Sequence, residues 1–83
     1  MKYRDNRRTL ADSLATEIEV DTIDELVKYL NTDWKWANKT VNEIKVDYYA
    51  YDSRIDWDTY IVTAKLSGET EFWVMGFTNG KLE

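Results

Sequence analysis

"NEIKVDYYAYDSRIDWDTYIVTAKL", residues Asn42 to Leu66, alternates with period two on either side of a polar centre. Such alternation is the mark of strands with two distinct faces. Ile44, Val46, Tyr48 and Ala50 fall on one face of the first segment. Glu43, Lys45, Asp47, Tyr49 and Tyr51 fall on the other. In the second segment Tyr60, Val62, Ala64 and Leu66 share a face, opposed by Trp57, Thr59, Ile61, Thr63 and Lys65. Between them Asp52–Asp56 carries Asp and Ser, which bond to nearby backbone and favour turns. The stretch therefore predicts two antiparallel strands joined by a short acidic connection.

Working outward, "SGETEFWVMGFTNG" supplies a turn and a third strand. A three-residue loop sets Leu66 opposite Thr70 and Lys65 opposite Glu71, with Phe72, Val74 and Gly76 facing Ala64, Val62 and Tyr60. Opposite charges facing each other and apolar residues collected on one side favour this register, while a two-residue Ser67–Gly68 turn, which would flip the last strand, stays open. Gly76 inside a strand marks a bulge or a close approach by another segment. Upstream, "TIDELVKYLN", Thr22 to Asn31, reads as a helix. Thr22 and Glu25 form a capping box, and Asp24 and Glu25 suit the positive end of the helix dipole. Ile23, Leu26, Val27 and Leu30 make one apolar stripe. Before it, Glu17–Val20 alternates like a short strand, and Arg8–Ala15 reads as a short helix or an irregular lead-in. The expected fold class is α+β in one domain, residues 1–83. A three-stranded antiparallel meander plus a short edge strand carries one main helix on one face.

The chain has 83 residues, so every large apolar side chain counts toward a small core. It has no His and no Cys. That removes Ser-His-Asp and Cys-His catalysis, the common zinc sites and any disulfide. No phosphate-cradling glycine loop occurs. The expectation is a non-enzyme with no catalytic residue, no cofactor and no metal. Asp52, Asp56 and Asp58 lack the glycine and terminal Glu of a calcium loop, and Arg54 sits among them. No apolar run is long enough to cross a bilayer and no apolar leader opens the chain, which predicts a cytoplasmic protein without a membrane partner. The closing Leu82–Glu83 pair carries no weight in this reading. Residues 1–8 hold a balance of +3 and the remainder −8. The first eight residues read as a frayed basic arm. The acidic body makes nucleic acid an unfavoured partner.

The sheet face away from the helix is expected to carry Tyr49, Tyr51, Trp57, Ile61, Trp73, Met75 and Phe77. A solvated sheet face is normally polar, and this one is largely aromatic. One reading is a second core layer, with Leu10 and Leu14 or the Trp34–Trp36 stretch folded over it. The other is an interaction face for an unknown protein partner or for a homodimer. Stacking of single-stranded nucleic acid is a third reading, set against the nearby carboxylates.

"RIDWDTYIV" (Arg54–Val62) and "GFTNG" (Gly76–Gly80), taken with "TIDELVKYLN", resemble small uncharacterised proteins carried by Gram-positive conjugative elements and phages. The resemblance spans about Thr9 to Gly80. It implies a bacterial cytoplasm and an accessory gene of a mobile element, and carries over no catalytic residue. In that setting a small acidic protein could also act as a DNA mimic that inhibits a host defence nuclease.

Overall fold

The computed structural model describes residues 1–5, 16–32 and 39–83. The expected lead-in at Arg8–Ala15 and the Trp34–Trp36 stretch lie outside the described residues. Five strands and one helix follow in chain order: β1 Lys2–Asp5, β2 Thr16–Glu19, α1 Ile23–Thr32, β3 Val41–Asp52, β4 Trp57–Leu66 and β5 Phe72–Thr78. The fold is α+β, one helix on an antiparallel sheet ordered β2-β1-β5-β4-β3. No helix among the described residues is long and apolar enough to cross a membrane.

The helix forms as its caps dictate. Thr22 Oγ1 accepts the Glu25 N–H at 3.1 Å. Glu25 Oε2 reaches back to the Asp21 N–H, one residue earlier than a regular capping box. Thr22→Ala should lower stability by about 1 kcal/mol, read as a drop in the urea midpoint at constant slope. The helix runs one residue past the expected stop at Asn31. There the Asn31 amide joins the end of α1 to β3, accepting the Val41 N–H at 2.8 Å and donating to its carbonyl at 3.4 Å.

Leu26 and Leu30 are buried on the sheet against Val20, Val41, Val62, Ala64, Leu66 and Met75. Ile23, Ile44 and Val46 pack at the margin of this cluster. Leu82 belongs to it as well, so that side chain is part of the core. The Ile23 N–H donates to the Glu83 carbonyl at 2.9 Å, which holds that segment against the start of the helix.

The N-terminal residues differ from the expected frayed arm. Lys2–Asp5 is a strand laid between β2 and β5. Tyr3 is fully buried, its ring edge-on to Tyr29 and its hydroxyl donating to the Met75 carbonyl at 2.7 Å. Asp5 is buried and accepts the Tyr29 hydroxyl at 2.9 Å. Lys2 and Arg4 both reach Glu17 of β2, at 4.0 and 3.6 Å. The positive charges of Lys2 and Arg4 are thus opposed by the neighbouring strand. A four-residue strand with three charges gives no period to read, and only the distant Gly76 explains its place.

The β4–β5 register also differs. Residues Ser67–Glu71 connect the strands, and Lys65 faces Phe72, one residue beyond the expected Glu71. The Glu69 N–H closes a turn on the Leu66 carbonyl, with Gly68 at φ 80° in the position that demands positive φ. The one-residue offset inverts the first part of β5: Trp73 faces Ala64, and Val74 faces Thr63. A register shift between Val62 and Thr63, with Met75 as the unpaired residue, restores the original alternation. Gly76 then faces Val62, and Phe77 faces Ile61. Both readings of Gly76 hold together, since it follows the bulge and lies under Tyr3.

Candidate functional site

The described residues of the second face form a recess at the β3–β4 hairpin end of the sheet. It holds about 530 Å³ and is bounded by Tyr49, Trp57, Thr59 and Phe77, with Arg4 on one flank and the 53–56 turn on the other. Its floor follows from strand alternation: Trp57 and Thr59 project from β4 to the side opposite Val62 and Ala64. Register extends that floor across the sheet, because Arg4 faces Phe77 and Phe77 faces Ile61.

Tyr49 arrives there through a second irregularity. The pairing of β3 with β4 shifts between Tyr48 and Ala50, leaving Tyr49 as the additional residue. Its ring meets Phe77 at 5.7 Å between centroids, across the width of β4. The shift also turns Ala50 opposite Thr59 and Tyr51 opposite Asp58. Tyr51 therefore stands at the rim, where its hydroxyl donates to Asp56. That hydrogen bond, helped by the surrounding aspartates, raises the Tyr51 pKa above its ordinary value.

The acidic connection is largely self-satisfied. Asp52 takes the Arg54 N–H at 3.0 Å and the Arg54 guanidinium at 3.1 and 2.8 Å. The Arg54 side chain, then its backbone N–H, hold the Asp52 carboxyl below its ordinary pKa. Asp56 adopts φ 57°, the left-handed conformation that Asp tolerates at the end of a turn. Among the described residues no group of three or more His, Cys, Asp or Glu side chains is gathered to hold a metal ion.

Seven residues were expected on this face. Tyr49, Trp57 and Phe77 line one recess, Ile61 shares a row with Phe77, and Tyr51 stands at the rim. Trp73 and Met75 do not join them. Met75 is fully buried in the helix-side core, and Trp73 pairs with Ala64 on that same side, 43 % exposed. The cause is the inverted first part of β5. Phe72 correspondingly leaves the expected helix face and sits beneath Lys45 and Lys65, 4.2 and 5.1 Å from its centroid.

Arg4 is the member that sequence reasoning missed. Its guanidinium carbon stands 5.9 Å from the Trp57 ring centre, within cation–π range. One of its terminal nitrogens pairs with Glu17, while Nε is buried and has no hydrogen-bond partner among the described residues. A donor closed off in that way is an internal cost to the fold. Trp57 is 9 % exposed and Tyr49 63 %, so the recess has a sheltered floor and an open wall. Comparison with known proteins yields no matching family model, no matching curated protein and no matching solved structure.

Proposed function

We propose that the chain is a small non-enzymatic protein-interaction module, and that its recess receives an apolar or aromatic side chain of a protein partner. The observation that supports this most is the joining of three aromatic side chains with the Arg4 guanidinium, beside Trp57, in one open recess. Aromatic walls give large contact area at low entropic cost, and aromatic and arginine side chains are the usual anchors of such contacts. The setting we adopt is the one the resemblance implies, an accessory protein of a bacterial mobile element acting in the cytoplasm. A DNA mimic needs free carboxylates spaced along one surface. Asp52 and Asp56 are already engaged by Arg54 and Tyr51, which favours the recess over the acidic rim.

The test is comparative capture from a bacterial lysate on immobilised wild-type protein, Tyr49→Ala and Trp57→Ala. Tyr49 is largely exposed, so its replacement leaves the fold intact and separates loss of binding from loss of structure. At least one protein should be retained by the wild type and fall about tenfold with Tyr49→Ala, the loss of a typical interface aromatic. Identical profiles from all three baits would contradict the proposal.

A further inference from the structure

We propose that two copies of this chain join edge to edge along β3, antiparallel, with Val46 at the two-fold centre. Twelve residues long, β3 is the outermost strand of the sheet. Among the described residues it has β4 on one side and no strand on the other. An unpaired edge of that length offers a row of free backbone donors and acceptors.

Two irregularities define how much of the edge is usable. Pairing with β4 shifts between Val41 and Glu43 and again between Tyr48 and Ala50. Between them Glu43–Tyr48 runs in unbroken register against Lys65–Tyr60. A regular strand can accept another neighbour there, whereas the bulged ends twist away.

The side chains of this window are self-complementary. Ile44, Val46 and Tyr48 lie toward the helix side, and Lys45 and Asp47 lie on the other. Neither Lys45 nor Asp47 has an ion pair among the described residues; Lys45 rests on the Phe72 ring. With Val46 facing Val46 of the partner, Lys45 stands opposite the partner's Asp47, and Asp47 opposite the partner's Lys45. Ile44 meets the partner's Tyr48, a side chain otherwise 57 % exposed. Opposite charges and apolar–aromatic pairs are the favourable cross-strand combinations.

Neighbouring registers fail. Centring on Lys45 sets Lys45 against itself and Glu43 against Asp47. Centring on Asp47 sets Asp47 against itself. Centring on Ile44 draws in Val41, whose N–H and carbonyl already bond to Asn31. The opposite edge, β2, has four residues with Glu17 and Glu19 exposed, which guards it against addition. The contact is therefore isologous and closes at two copies.

This goes beyond the partner recess and uses none of its lining residues. Sedimentation equilibrium over a concentration series tests it, with circular dichroism confirming that each variant is folded. Wild type should pass from monomer to dimer. Lys45→Asp and Asp47→Lys should each weaken the dimer roughly tenfold or more, since two attractive pairs become repulsive. The double variant K45D/D47K should dimerise again, and an equimolar mixture of the two single variants should form heterodimers. A wild type that is monomeric at every concentration overturns the proposal. So does a dimer that the single reversals leave unchanged. A dimer weakened by Tyr49→Ala alone would place the contact at the recess instead and overturn this geometry.

Discussion

Gly76→Ala is expected to break the sheet near its middle. Gly76 lies in β5, between β1 and β4, facing Asp5 on one side and Val62 on the other. A Cβ there would sit 2.2 Å from the Arg4 carbonyl oxygen and 2.8 Å from the Tyr3 ring and hydroxyl. The nearer obstacle is backbone, which cannot rotate aside as a side chain can. One methyl group must therefore push β1 from β5 or strain both. Overpacking of a core usually costs about 1–3 kcal/mol, and a backbone clash in a central strand belongs at or above the top of that range. Urea denaturation of wild type and variant reads this directly. Y3A/G76A should not recover the loss, because it removes the ring and leaves the Arg4 carbonyl in place. A Gly76→Ala protein as stable as wild type would mean that β1 does not lie against β5.

Tyr3→Ala carries the second large effect, about 3–5 kcal/mol, as for other buried aromatics cut back to alanine. Tyr3 is fully buried, fills the space over Gly76, and ties the N-terminal strand to the bulge through the Met75 carbonyl. Tyr3→Phe isolates the hydroxyl. It keeps the packing and leaves a buried carbonyl without its donor, at a cost of roughly 1–3 kcal/mol. The ratio of the two losses, from the same urea curves, separates packing from hydrogen bonding. Equal losses for both variants would assign the effect to the hydroxyl alone.

These two positions also explain how far the fold was legible. The helix was readable because its information is local: Thr22 and Glu25 cap it, and Ile23, Leu26 and Leu30 repeat on one stripe. β4 was readable end to end because its alternation is unbroken from Trp57 to Leu66. β1 was not, because "KYRD" has meaning only beside Gly76, more than seventy residues away. The register of β5 was lost for a different reason. Its faces depend on a register one residue offset from the pairing of Lys65 with Glu71, and on a bulge that later cancels the difference. Opposite charges at Lys65 and Glu71 favoured one register, and the burial of Met75 with Tyr3 over Gly76 won the other.

The site inherits this split. Trp57 and Phe77 lie on one face, since the bulge restores the alternation before Phe77. Trp73 lies before the bulge and therefore went to the other side. Tyr49 stays with Trp57 and Phe77, although the strand around it is shifted. Arg4 was legible only as charge, because nothing in the sequence links an N-terminal arginine to a tryptophan in the fourth strand. An aromatic face read as one continuous patch is, in three dimensions, a smaller recess with a cation at its side. On the proposed partner-binding reading, its bounded volume would make it more selective than the patch.

Side-chain nuclear Overhauser measurements on a ring-labelled sample test this arrangement most directly. Phe77 ring protons should show contacts to the Tyr49 ring, and the Trp57 indole should show contacts to the Arg4 side chain. Trp73 should show none to Tyr49 or Trp57. Contacts from Trp73 to either ring, or a Phe77 ring without Tyr49 nearby, would contradict the account of the bulge and dissolve the recess.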